Sequence, residues 1–214
     1  MNPAASAADL AAGAVASVRA GRPLLVQDFV EWRAVARELL RAGVPPEAVT
    51  WGAPGADLFS GAPAPLLAGH DEGEPLPVPA TPRPQISRAL MEMLQTAACY
   101  RDHDRWAFLY RVIWRWQQGE HDVQSPADPD GQRLHTMVKA VRREVHDMHA
   151  YIRFRERPLD AGDPHFVAWF EPAHDVLPQV AEHFVARMGR TSWMIATPDA
   201  SVLWDGHTLH NAGP

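Results

Sequence analysis

Apolar and polar positions follow their most regular pattern between residues 133 and 156, RLHTMVKAVRREVHDMHAYIRFRE. Leu134, Met137, Val138, Val141, Val145 and Met148 recur at three- and four-residue steps, which sets them on one stripe of a helix. A helix turns by about 100° per residue, so His135, Lys139, Arg142, His146 and His149 gather on a neighbouring flank. The period then changes. Tyr151-Ile152-Arg153-Phe154-Arg155 alternates as a strand does, with Ile152 and Phe154 on one side and Tyr151, Arg153 and Arg155 on the other.

The same reading extends along the chain. Residues 1–22 are Ala-rich and poorly patterned, and read as a flexible tail. Residues 23–52 predict a small β-α-β lead-in: PLLVQ as a strand, a helix capped by Asp28 and ended by Gly43, then VTWG. Residues 53–84 are rich in Pro and Gly and read as a linker. Helices resume with ISRALMEMLQTAACY. RDHDRWAFLYRVIWRWQQG follows, with Asp104 as the expected cap and Trp106, Leu109, Tyr110, Ile113 and Trp116 as its stripe. SPADPDG reads as a loop into the patterned helix.

Beyond residue 156, HFVAWFEP predicts a strand pairing antiparallel with 151–156. VLPQVAEHFVARMG predicts a helix closed by Gly189, and SWMIATPD with SVLWDG a second strand pair around a turn. The expected class is therefore α+β: residues 85–214 form one domain, an antiparallel sheet packed against helices.

Composition narrows the setting. Formal charge is -6, but it is uneven: residues 158–214 hold only Arg187 and Arg190 against seven carboxylates, while 101–157 have a slight cationic excess. A local anion-binding surface is compatible with net negative charge. Cys99 is the single cysteine, which excludes an internal disulfide and a cysteine-rich zinc site; its apolar surroundings predict a buried, inert thiol. The opening residues lack a basic n-region and include Asp9, and no run nears the roughly 20 apolar residues of a membrane span. The expectation is a cytoplasmic protein without a membrane partner.

LYRVIWRWQQGE, VRREVHDMHAYIRFRE, HFVAWFEPAHDVL and SWMIATPDASVLWDG, in that order, resemble the successive blocks of a bacterial domain of unknown function labelled "probable DNA metabolism protein". The resemblance covers about residues 85–214, and DFVEWRAVARELLRAGVPPEAVTWG resembles the leading segment of fused members. It implies a setting in DNA metabolism or repair, beside a uracil-DNA glycosylase-like module often fused to the family and a radical-SAM protein often encoded next to it. The chain departs from that pattern at His183-Phe184, where the family has an aromatic pair, and in the looser tail GHTLHNAGP. It ends at Pro214 with no motif of the glycosylase module, so a separated domain without glycosylase activity is expected.

Three chemistries compete for the patterned segment. In the first, Lys139, Arg142, His146, Arg153 and Arg155 meet phosphates and Tyr151 stacks on a base, making DNA the expected partner. In the second, His146 and His149 at i,i+3 ligate a divalent metal with His174, and perhaps Glu171, as further ligands. In the third, His146 and Glu171 act as an acid-base catalytic pair on nucleic acid or a nucleotide. No G-x-S-x-G, P-loop or G-x-G-x-x-G accompanies them, and Ser192 and Thr197 have no readable partner. The two bland alternatives are a solvated face, with the arginines paired to Glu144, Asp147 and Glu156, and a protein-interaction domain for the radical-SAM partner. Asp199 and Asp205 read as turn residues. Trp169, Trp193 and Trp204 read as packing residues; two of them in an exposed cleft would instead be stacking candidates.

Overall fold

The computed structural model describes residues 11, 13–52 and 86–213. The linker assigned to residues 53–84 lies outside them, as does half of the tail assigned to 1–22; the other half is not a loose tail, since residues 13–19 are helical and Ala14 is buried. The chain divides into two compact units, one of residues 1–98 with 102–134, the other of 99–101 with 135–214. That boundary falls inside the longest helix among the described residues, within the span read from sequence as one domain.

In the first unit, β1 (Leu24–Leu25) and β2 (Trp51–Gly52) pair in parallel, joined through helix α1 (Phe29–Arg41). Asp28 caps α1 as expected, its carboxylate accepting from the Glu31 N–H at 2.9 Å. Trp32, Val35, Ala36, Leu39 and Leu40 bury the predicted stripe. Gly43, at φ 65°, takes the left-handed conformation that turns the chain after the helix.

Helices α2 (Arg88–Ala97) and α3 (Arg105–Gln117) complete this unit with the first turns of α4 (Pro129–Tyr151). The indole of Trp32 stacks on Trp106 at 6.1 Å and donates to its carbonyl at 3.2 Å. Tyr110 is fully buried and donates its hydroxyl to Val44 O at 2.7 Å. Two expectations change. Asp104 precedes α3 but makes no side-chain cap bond, because its carboxylate holds the Arg133 guanidinium. SPADPDG is not wholly loop: α4 already begins at Pro129, and Asp128 accepts from the N–H groups of Asp130 and Gly131.

The second unit is an α+β layer of five strands in the order β3 (Arg155–Glu156), β4 (Phe166–Trp169), β5 (Trp193–Ala196), β6 (Ser201–Trp204), β7 (Leu209–Ala212). Three of the four pairings are antiparallel. β4 and β5 instead run parallel, with α5 (Leu177–Met188) as the crossover between them. β7 was unmarked in the sequence.

One face of the sheet carries the core. Ala168, Trp193, Ile195 and Val202 pack with Val141 and Met148 of α4 and with Val180 and Phe184 of α5. Trp193 is completely buried, and Trp204 packs against the same core while donating its indole N–H to Gly189 O at 2.7 Å. The segment 151–155 is not all strand: Tyr151 closes α4 and only Arg155–Glu156 join the sheet. Its alternation holds nonetheless, since Ile152 is buried and Phe154 packs on the core while Tyr151, Arg153 and Arg155 face solvent.

Candidate functional site

The candidate residues belong to the second unit, and α4 positions most of them. The stripe through Val141 and Met148 fixes the helix against the sheet, which turns the neighbouring flank outward. Lys139, Arg142 and His146 lie on that outward flank. Past the helix, Tyr151 is 66% exposed, and Arg155 reaches solvent from the edge strand. Arg153 plays a structural part. Its guanidinium donates to the carbonyls of Ala150 and Ile152 at 2.9 and 3.0 Å, capping the end of α4.

The carboxylates that were to neutralise these cations are engaged elsewhere. Glu144 accepts from the Ala173 N–H at 3.0 Å. Asp147 pairs with Arg143 at 3.6 Å, and Glu156 with His165 at 3.3 Å. Among the described residues, none of the three forms an ion pair with Lys139, Arg142, Arg153 or Arg155. Several other arginines of the chain are matched. In the first unit Arg115 bonds Asp128, Asp130 and Glu120, and Arg133 holds Asp102 and Asp104; in the second, Arg101 reaches Asp175 and Asp199.

The proposed metal ligands are not assembled. His174 packs its ring on Tyr100 at 4.3 Å, and its Nδ1 accepts from the Arg101 N–H at 3.4 Å. Among the described residues, His146, His149 and His174 do not converge on a common point. The neighbour of His149 is His183 of α5, whose ring lies over it at 4.1 Å, with Phe184 edge-on at 5.9 Å. Burial, and then the adjacent His183 and His146, hold the His149 imidazole below its ordinary pKa, and its buried Nε2 has no hydrogen-bond partner among the described residues. The described residues that do gather ligand atoms are Asp102, His103 and Asp104 in the first unit. Asp102 and Asp104 already clamp Arg133, which draws the Asp104 carboxyl below its usual range.

The catalytic pairing fares no better. Glu171 is exposed after β4 and accepts from the Trp169 indole at 3.1 Å; among the described residues, no hydrogen bond links it to His146. Ser192 donates to Asp163 at 2.6 Å and accepts from the His165 N–H, while Thr197 closes its turn through Ala200. Asp205 accepts from the N–H groups of His207 and Thr208 as a turn residue, and Asp199 reaches Arg101. Cys99 is half-buried, its Sγ accepting from Gln179 at 3.0 Å.

Two features were not anticipated. Trp169 is 57% exposed on the sheet face away from the helices, whereas Trp193 is buried. The first unit carries a groove of about 390 Å³, floored by Trp32, Ile86 and Ile113 and edged by Arg33, Arg37 and Arg41.

Fold and surface together define an α+β domain with an unneutralised cationic helix flank and an exposed tryptophan. The family model "Domain of unknown function (DUF4130)" matches residues 103–209, half of the chain, and the protein belongs to that family. No curated protein and no solved structure matches the chain. No described helix is long and apolar enough to cross a membrane.

Proposed function

We propose that the second unit is a nucleic-acid-binding module that serves DNA metabolism or repair. Lys139, Arg142, His146 and Arg155 meet phosphate oxygens, and Tyr151 lies among them as an aromatic contact. One observation carries the reading: among the described residues no carboxylate forms an ion pair with Lys139, Arg142 or Arg155, and the nearby Asp147 and Glu156 face Arg143 and His165 instead. A cation left without a carboxylate gains more from a phosphate than one that must first break an ion pair.

The resemblance of the sequence blocks to a DNA-metabolism family supports the setting. On that ground the module works beside a uracil-DNA glycosylase-like partner, with a radical-SAM protein as a further associate. The test is binding of fluorescently labelled DNA to the full chain at low salt. The pair Lys139→Ala/Arg142→Ala weakens binding at least several-fold, while Arg187→Ala, removing an exposed cation of α5, leaves it unchanged. Equal losses from both would mean a diffuse charge effect and no defined surface.

A further inference from the structure

The sheet of the second unit shows its helix-free face as two rows. Cross-strand registration aligns Arg155, Val167, Met194, Leu203 and His210 across all five strands. With strands about 4.8 Å apart, that row spans roughly 19 Å. It places a cation at one edge, three half-buried apolar side chains in the middle and an imidazole at the other edge. The next row aligns Trp169 with Ala196, Ser201 and Ala212. The indole therefore stands in a row of small side chains, is 57% exposed, and donates its N–H to Glu171.

The cations follow a bent course. Lys139, Arg142 and His146 belong to the helix layer. Arg155 is registered with Val167, so it points to the opposite face. Between them the chain turns around the β3 edge through Tyr151 and Arg153.

From this arrangement we infer that the ligand is a single-stranded nucleic acid that passes around the β3 edge and stacks one base on Trp169. The inference rests on the nucleic-acid reading above and narrows it. Two properties select the single strand. Its bases have free faces for an exposed aromatic, whereas a duplex keeps its base faces stacked inside. It also follows a bend of protein dimensions at little cost, whereas duplex DNA has a persistence length of about 150 base pairs. Arg155 at the sheet edge neutralises the backbone next to the stacked base.

The experiment compares a labelled 15-nucleotide oligothymidylate with a 15-base-pair duplex, by fluorescence anisotropy on the full chain. Wild type, Trp169→Ala, Trp169→Phe and Arg142→Ala are titrated. Wild type prefers the single strand by at least about ten-fold. Trp169→Ala loses about ten-fold on the single strand and nothing on the duplex, and Trp169→Phe restores most of the loss because a ring is retained. Trp169 is solvent-facing, so its removal leaves the fold intact, which an unchanged melting curve verifies. Equal affinity for both forms, or a Trp169→Ala variant that binds as wild type while Arg142→Ala does not, overturns the single-strand inference and leaves the cationic interface standing. Failure of wild type to bind either form overturns both.

Discussion

Glu144 Oε1 accepts a 3.0 Å hydrogen bond from the backbone N–H of Ala173, a residue 29 positions further along the chain. That bond ties the loop after β4 to α4, on the side of the helix away from Arg142 and His146. Glu144→Ala therefore costs roughly 1 kcal/mol of stability in urea unfolding. Glu144→Gln, which keeps an acceptor oxygen, costs less. Neither weakens DNA binding.

Arg153 caps α4 through the Ala150 and Ile152 carbonyls. Arg153→Ala is expected to lower stability by roughly 0.5–1 kcal/mol, as loss of a cation at a helix C-terminus does. Arg142→Ala, at an exposed position without an ion-pair partner among the described residues, stays within about 0.5 kcal/mol of wild type. Paired chemical-denaturation curves read the difference. Equal effects would show that Arg153 has no capping role.

The Asp128 carboxyl is lowered from 3.8 to about 2, first by its bond from Arg115 and then by the Gly131 N–H. A depressed folded-state value means the charged form stabilises the fold. That contribution is complete above the ordinary value and is lost as pH falls from about 4 to about 2. Thermal midpoints across this window drop more steeply in wild type than in Asp128→Asn, which cannot titrate there.

The His149 imidazole is held below its ordinary value of 6.5 by burial, then by His183 and His146. The unfolded chain takes up the proton more readily than the folded one. Stability present above pH 6.5 therefore falls as the solution is acidified through the folded-state value. His149→Phe, which keeps a ring against His183 and Phe184, flattens the dependence of the melting temperature between pH 8 and 5.5. A variant with the wild-type slope would place the sensitivity in another group.

Much of the fold was legible where local period decides it. The α4 stripe, the Asp28 cap, the lead-in strands and the alternation through Ile152 and Phe154 all rest on spacing within a few residues. The parallel β4–β5 pairing was not legible, because period two is the same for either strand direction. β7 escaped notice because Leu209-His210-Asn211-Ala212 carries no apolar alternation.

The candidate surface was legible as composition and illegible as pairing. A helical wheel places Lys139, Arg142 and His146 on one flank, but which carboxylates remain available depends on partners such as Ala173, far away in sequence. His174 shows the same limit: its ring meets Tyr100 and its Nδ1 the Arg101 N–H, 73 residues away. The exposure of Trp169 depends on which sheet face the helices cover. HFVAWFEP does mark Trp169 as opposite to Phe166 and Phe170, a signal that needs only the knowledge of which side is the core.

The central claim is that Lys139, Arg142 and Arg155 bind phosphates. Its most direct test is the salt dependence of single-stranded DNA affinity for the full chain, wild type against Lys139→Ala/Arg142→Ala/Arg155→Ala. Each lost phosphate contact removes about 0.7 from the slope of log affinity against log salt, so the triple variant has a slope shallower by about 2. An unchanged slope in the triple variant, or a wild-type affinity indifferent to salt, contradicts the account.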